Sequence, residues 1–148
     1  MEKIENYIDG KKTSISQKTL SVFDPSTGEE ISKVVLSNLD DFDKTIQSSK
    51  KAQILWANIT PLKRSRIISK YKSLIEDNLQ ELAELISREH GKTLDDAKGS
   101  VTRGLEVVEF ACGIPHLIKG EFSQNVGTNI DSWSVRHPLG ICSGITPF

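Results

Sequence analysis

The 148 residues include 19 lysines and arginines and 20 aspartates and glutamates, for a formal net charge of −1, and 36% of them are hydrophobic. This balance is typical of a globular domain. It argues against nucleic acid or an anionic membrane as partner, since both attract a positive field. No apolar run reaches the ~20 residues of a membrane span, and the first residues lack a leader-like apolar stretch. We therefore expect a cytoplasmic protein.

The first part of the chain favours β-structure. Tyr7 and Ile8, followed by Asp9-Gly10, predict a strand that enters a tight hairpin turn. A second strand over residues 21–23 runs into a turn, where a proline presets φ and a glycine accepts a positive φ. The β-branched stretch from Glu30 to Leu36 predicts a third strand.

Four helices are predicted next, each from a polar capping residue ahead of an apolar periodicity. The first begins at Ser37 or Asn38, and the second begins at Thr60. Asn78 and Glu81 indicate a capping pair for the third helix.

The fourth helix is predicted to begin at Thr93, after a helix-ending Gly91, and to run to about Ala111. Gly99 and Gly104 interrupt this helix, and each costs up to ~1 kcal/mol relative to alanine. We expect another element to approach the helix closely at these glycines.

The remaining residues predict a loop and two strands. Residues 120–131 are polar and indicate a loop, whereas the alternation over Ser132–His137 indicates a strand. Pro138–Phe148 is a short apolar run with glycines and a closing proline, typical of a buried parallel strand covered on both faces. Such a strand needs neighbours that the preceding residues do not supply. We therefore expect the front portion of a larger α/β protein.

Few residues indicate chemistry. The three histidines are far apart and predict no metal site, and no glycine-rich phosphate loop is present. Cys112 and Cys142 lie 30 positions apart without CxxC spacing, which predicts two reduced, buried thiols. The apolar context of Cys142 argues for packing rather than nucleophilic catalysis.

Arg103 has two competing interpretations. In the first, it forms an ordinary helix-surface ion pair with Glu106 at i+3, worth ~0.2–0.5 kcal/mol. In the second, its guanidinium projects past Gly99, one turn back, and holds a ligand carboxylate with two hydrogen bonds. The spacing alone favours the ion pair.

Four stretches together resemble the N-terminal third of the aldehyde dehydrogenase superfamily. They are Asn6–Gly10, Phe23–Glu29, Glu89–Ala97, and Pro138–Gly140 continuing to Pro147-Phe148. Within this superfamily, Arg103–Cys112 and the terminal Ile145-Thr146-Pro147-Phe148 resemble the CoA-acylating methylmalonate-semialdehyde dehydrogenases.

The resemblance implies an α/β fold with an NAD-binding Rossmann-like domain, a catalytic domain and a β-rich oligomerisation arm. Residues 1–148 would form the N-terminal part of the NAD-binding domain: a β-hairpin start, a layer of helices and the first Rossmann-like strand. Residues 120–138 would contribute to the arm, and the catalytic domain would be absent. The Ser132–His137 strand would then join subunits of a homotetramer.

The family reaction converts malonate or methylmalonate semialdehyde, CoA and NAD to acyl-CoA, carbon dioxide and NADH. By resemblance, Ile145, Thr146, Pro147 and Phe148 would line the NAD site, at the carboxyl end of a strand where dinucleotides bind. Arg103 would hold the substrate carboxylate. No residue would be catalytic, because the oxyanion-binding asparagine and nucleophilic cysteine of relatives lie beyond Phe148. The chain alone is therefore predicted to be inactive and to bind NAD poorly.

Two alternatives remain open from the sequence. One is a stand-alone, non-catalytic module that assembles with other subunits through Ser132–His137. The other is a different aldehyde dehydrogenase branch, which would oxidise a free aldehyde without CoA.

Overall fold

The computed structural model describes residues 2–146 as short strands around a helical middle. The strands are β1 (Glu2–Ile4), β2 (Asn6–Ile8), β3 (Lys11–Thr13), β4 (Thr19–Phe23), β5 (Glu30–Val35), β6 (Phe122–Gly127) and β7 (Ile130–Trp133). The helices are α1 (Leu39–Ala57), α2 (Pro61–Asp77), α3 (Leu79–His90), α4 (Leu94–Cys112) and α5 (Ile114–Leu117). None of the described helices is long and apolar enough to cross a membrane.

The predicted N-terminal strands are confirmed and form two small sheets. In the first sheet, β5 is central, with β1 parallel on one side and β4 antiparallel on the other. In the second, β2 and β3 form a hairpin joined by Asp9 and Gly10, whose φ angles are 53° and 72°. A tight two-residue hairpin turn requires two consecutive positive φ angles. The Asp-Gly pair therefore explains the register in which β2 pairs with β3.

The turn between β4 and β5 is also as predicted. The Asp24 carboxylate accepts a hydrogen bond from the Ser26 N–H at 2.7 Å, and the Asp24 carbonyl accepts one from the Gly28 N–H at 2.8 Å. Gly28 has a φ of 75°, which glycine adopts without strain. This local hydrogen bonding fixes the turn independently of the helices.

Side-chain caps begin three of the four long helices. Asn38 caps α1, in a reciprocal capping box with Asp41, while Thr60 caps α2 and Thr93 caps α4. The predicted capping pair of Asn78 and Glu81 is wrong. Asn78 ends α2 instead, and its side-chain amide donates to the Leu74 carbonyl at 2.7 Å, so it is not available to cap α3.

Helix α4 packs against both α2 and α3. Ala83 of α3 and Ala97 of α4 are fully buried, and the Ser65 hydroxyl of α2 donates to the Cys112 carbonyl at 2.7 Å. A Cβ placed on Gly104 would meet no atom within 4 Å, and one placed on Gly99 would lie near the Arg103 side chain alone. Within residues 2–146, the expected close approach of another element at these glycines is therefore wrong.

The predicted loop over residues 120–131 is wrong, because β6 and the first half of β7 lie there. The hairpin turns at Thr128-Asn129, where Asn129 has a φ of 60°, and the Asp131 carboxylate accepts from the Asn125 N–H at 3.0 Å. Nearly every residue of this hairpin is exposed, so neither face imposes the apolar alternation that predicts a strand. Only Ser132 and Trp133 of the predicted Ser132–His137 strand belong to β7.

The predicted strand over Pro138–Phe148 is not formed in its described part. Residues 138–146 have no regular secondary structure, and Leu139 is 94% exposed. A buried strand needs paired neighbours to satisfy its backbone groups, and the described residues place no strand beside this segment. Pro147 and Phe148 lie outside the described residues.

One buried carboxylate joins the β-rich start to the helical layer. Asp41 is 1% exposed, and its carboxylate accepts hydrogen bonds from the backbone N–H groups of Ile15 (2.6 Å), Ser16 (3.1 Å) and Asn38 (3.2 Å). The Ile15 hydrogen bond, together with those from Ser16 and Asn38, holds the pKa of Asp41 below its ordinary value of 3.8, although burial opposes this shift.

Replacing Asp41 with asparagine should destabilise the protein, because the amide nitrogen cannot accept these bonds. We expect Asp41→Asn to lower the melting temperature by roughly 5–10 °C at neutral pH. A carboxyl group whose pKa is lower in the folded state stabilises the fold at pH values above its unfolded-state pKa. This stabilisation is lost as the pH falls through its folded-state pKa. The stability of the wild-type protein should thus decline below about pH 4. The Asp41→Asn protein should lack the part of this decline that comes from protonation of Asp41.

Thermal melts followed by circular dichroism across that pH range would test this prediction. Asp43→Asn is the matched control, because Asp43 is an exposed residue of the same helix. Parallel pH profiles for wild type and Asp41→Asn would contradict the assigned role of the carboxylate.

Candidate functional site

The Arg103 side chain lies on the exposed surface of α4 and folds back along its own helix. Its Nη2 donates to the Ser100 hydroxyl at 3.2 Å, and its Nη1 lies 3.6 Å from the position that a Cβ on Gly99 would occupy. Among the described residues it forms no ion pair with Glu106, the partner that spacing favoured. The guanidinium is therefore left with unused donors.

The Ser100 hydroxyl brings a second cation to the same place. Its Oγ accepts from Lys92 Nζ at 3.1 Å as well as from Arg103, and it donates to the Asp96 carbonyl at 3.1 Å. Lys92 and Ser100 also line a cleft of about 400 Å³, together with Ile86, Glu89 and His90. Two positive charges that share one hydroxyl oxygen form a local environment suited to a carboxylate.

Lys92 and Ser100 were not predicted as site residues. Lys92 precedes the Thr93 cap, so its sequence position indicates only a helix boundary. Ser100 is three residues before Arg103, and this i, i+3 spacing is the one available signal that the two side chains can meet on a helix. The convergence of Lys92 on Ser100 depends on the turn between α3 and α4, which the spacing does not describe.

That turn belongs to one of the sequence stretches that carry the family resemblance, and a second stretch packs against it. Gly91 ends α3 with a φ of 81°, and its N–H donates to the Ser87 carbonyl at 2.8 Å. The Ser87 hydroxyl donates to the Lys92 carbonyl at 2.7 Å. A Cβ on Gly91 would lie 2.7 Å from Pro25 Cγ, so the β4–β5 turn packs directly on this corner.

Of the predicted NAD-binding residues, Ile145 and Thr146 are described, and the structure does not bring these two together with Arg103. Ile145 and Thr146 are exposed, Ile145 completely. Upstream, Gly140–Cys142 and residues of α1, including Gln53 and Trp56, line a cleft of about 520 Å³. Pro147 and Phe148 are outside the described residues.

The other candidate groups indicate no catalytic centre. Both cysteines are free, but Cys142 is exposed and only Cys112 is partly buried, so the prediction of two buried thiols is wrong for Cys142. Cys142 lies in the segment that fails to form a buried strand, which explains its exposure. Over residues 2–146, no group of three or more His, Cys, Asp or Glu side chains is arranged to hold a metal ion.

Comparison with known proteins shows the class to which this fold belongs. The model of the aldehyde dehydrogenase family matches residues 12–148. The chain is a member of the aldehyde dehydrogenase family.

Within the family, it is similar to enzymes of one branch. It is 44% identical over its whole length to a malonate-semialdehyde dehydrogenase of Pseudomonas aeruginosa. It is 41% identical, over 98% of its length, to a mouse methylmalonate-semialdehyde/malonate-semialdehyde dehydrogenase described as acylating and mitochondrial. These alignments cover 30% and 27% of the two relatives.

The solved structures agree with this assignment. A Sinorhizobium meliloti protein described as a methylmalonate-semialdehyde dehydrogenase, complexed with NAD, superposes with a TM-score of 0.90 at 46% identity, covering 95% of this chain and 29% of that one. The corresponding enzyme of Oceanimonas doudoroffii superposes with a TM-score of 0.86 at 41% identity, covering 91% and 28%. The predicted resemblance and fold class are confirmed, and the chain spans about 30% of the length of these relatives.

The contact between Gly91 and Pro25 predicts an asymmetric response to alanine. Gly91→Ala and Gly28→Ala both place alanine at positive φ, costing roughly 1–2 kcal/mol each. Only Gly91→Ala also collides with Pro25, which should add about 1–3 kcal/mol of overpacking.

Urea unfolding of the single variants and of Gly91→Ala/Pro25→Ala measures the collision. The double variant removes Cγ, the closest atom, and should recover much of the additional loss. Equal destabilisation by Gly91→Ala and Gly28→Ala would show that the β4–β5 turn does not press on this corner.

Proposed function

We propose that residues 1–148 are the N-terminal part of an NAD-dependent, CoA-acylating malonate- or methylmalonate-semialdehyde dehydrogenase. The complete protein would convert the semialdehyde, CoA and NAD to acyl-CoA, carbon dioxide and NADH. The observation that carries this proposal is the pair of cations, Arg103 and Lys92, on the Ser100 hydroxyl. Relatives of the same named activity at 41–44% identity support it.

The role proposed for Arg103 is to bind the substrate carboxylate. Arginine stays charged at every physiological pH, and its planar group can donate two parallel hydrogen bonds to a carboxylate. The Ser100 contact uses one Nη2 donor and orients the guanidinium along α4, so the remaining donors stay available. Lys92 would add a second positive charge without the same geometric demand.

The predicted NAD contacts of Ile145, Thr146, Pro147 and Phe148 remain a proposal. NAD, when bound, supplies the hydride acceptor for aldehyde oxidation. The similarity to an NAD-complexed methylmalonate-semialdehyde dehydrogenase at 46% identity supports this proposal. Residues 1–148 are thus proposed as the N-terminal part of the NAD-binding domain.

The proposed assembly also follows from the resemblance to the aldehyde dehydrogenase family. Residues 120–138 are assigned to an oligomerisation arm, in which Ser132–His137 joins subunits of a homotetramer. The cross-strand pair of Phe122 and Trp133 supports this, because both rings are exposed, Trp133 by 70%.

The cytoplasmic location remains a prediction. The stand-alone module is not favoured, because the relatives extend far beyond the matched region.

The first test compares the use of an aldehyde with a carboxylate and of one without it by the complete gene product. Arg103→Leu should lower kcat/KM for malonate semialdehyde by roughly 10–100-fold, the loss of a charge-assisted hydrogen-bonded pair. The value for propionaldehyde, which lacks the carboxylate, should change by less than about threefold. Arg103→Lys should be intermediate, because lysine keeps the charge but not the planar pair of donors.

Lys98→Gln serves as the control, since it removes a positive charge from the same helix without touching Ser100. Equal losses for both aldehydes with Arg103→Leu would reject the carboxylate-binding role.

The second test concerns the chain by itself. Residues 1–148 should form no NADH from malonate semialdehyde, because covalent aldehyde oxidation needs an activated thiol and neither Cys112 nor Cys142 is predicted to be catalytic. The complete gene product should form NADH from malonate semialdehyde, and its turnover should require CoA. Product formation that is independent of CoA would favour the non-acylating branch.

A further inference from the structure

A second group of cations, separate from Arg103 and Lys92, lies in the N-terminal region. The β2–β3 hairpin and α1 enclose a cleft of about 500 Å³, a volume within the usual range for small-molecule sites. Lys11 and Lys12 line it from the hairpin, and Lys44 and Lys51 line it from the helix. Asp9 is the one carboxylate in this lining.

The fold places these lysines together for simple reasons. Lys44 and Lys51 are seven residues apart, two helical turns, and therefore share a face of α1. Lys11 and Lys12 immediately follow the Asp9-Gly10 turn, which directs β3 back toward that face. The Lys44 ammonium donates to the Thr13 hydroxyl at 2.8 Å and so ties the helix to the hairpin.

The charges in the cleft are poorly neutralised. Lys12 forms an exposed pair with Glu2 at 3.4 Å, whereas Lys11 and Lys51 have no ion-pair partner among the described carboxylates. Four lysines against one aspartate give the lining a formal charge of +3, or +2 when the Glu2 carboxylate paired with Lys12 is counted, in a chain whose net charge is −1. This concentration of repelling ammonium groups would be relieved by a bound anion.

We propose that this cleft binds a small, multiply charged phosphate ligand, such as the diphosphate portion of a phosphorylated metabolite. Ammonium groups bind phosphate as mobile point charges, and phosphate oxygens can accept from several of them at once. Thr13, Gln47 and Ser48 also line the cleft and add uncharged hydrogen-bonding groups. The proposal does not rest on the dehydrogenase function, since it uses neither Arg103 nor residues 145–148.

Inorganic pyrophosphate is the probe for a calorimetric titration of the complete gene product. Saturating NAD is kept in the cell to fill the dinucleotide site, and no aldehyde is added. Pyrophosphate should bind, and the affinity should weaken as the salt concentration rises, because the cleft is exposed to solvent. The double variant Lys11→Gln/Lys51→Gln should weaken binding by about 10-fold or more.

Lys50→Gln is the matched control, because Lys50 neighbours Lys51 on α1 but does not line the cleft. Its pyrophosphate affinity should stay within about twofold of wild type, since a single exposed charge outside the cleft is largely screened. Lys11 and Lys51 are preferred to Lys44 for substitution, because Lys44 also holds the hairpin to the helix.

If the double variant fails to fold, the single Lys11→Gln and Lys51→Gln proteins replace it, with an expected loss of about 3–5-fold each. Stabilisation of wild type by pyrophosphate in a thermal melt provides an independent readout. No detectable binding at millimolar pyrophosphate would overturn the proposal. Equal affinity for wild type and the Lys11 and Lys51 variants would overturn it as well.

Discussion

The arrangement of the N-terminal half depends on the buried carboxylate of Asp41. A carboxylate is costly to remove from water unless hydrogen bonds replace the lost hydration. Here the backbone N–H groups of Ile15, Ser16 and Asn38 replace it, and the first two belong to the connection between β3 and β4. The same residue therefore begins α1 and holds the β-rich segment against it. The position of the lysine-lined cleft between hairpin and helix follows from this attachment.

A second junction, at the end of α3, determines where the cations of the candidate site meet. Gly91 reverses the chain in a conformation that favours glycine, and Pro25 occupies the space where a side chain would be. Lys92 follows at once, and its ammonium reaches the Ser100 hydroxyl that also accepts from Arg103. A turn between two strands thus supports the loop that positions a charged group. This explains in physical terms why two stretches that are distant in the sequence contact each other at this corner.

Features that depend on neighbouring residues could be predicted from the sequence, and features that depend on distant contacts could not. The Asp9-Gly10 hairpin and the caps at Asn38, Thr60 and Thr93 are local hydrogen-bonding arrangements, and they are present. The sequence does not predict β6 or the first half of β7, because these exposed residues carry no alternating apolar pattern. The strand predicted after Pro138 requires neighbours that the described residues do not place there. Likewise, the sequence indicates Arg103 as a candidate substrate-binding residue. It does not indicate that Lys92 contacts Ser100, because that contact depends on how the turn between α3 and α4 folds.

The positions of the two tryptophans have a spectroscopic consequence. Trp133 stands on the exposed hairpin, and Trp56 lies beside the cleft formed with Gly140–Cys142. An indole emits at shorter wavelength when water leaves its surroundings, and these are the only two indoles of the 148 residues. With one of them replaced by phenylalanine, the remaining emission reports on a single surface. In residues 1–148 alone, intrinsic fluorescence can therefore report separately on the solvent exposure of the hairpin and of the cleft beside α1.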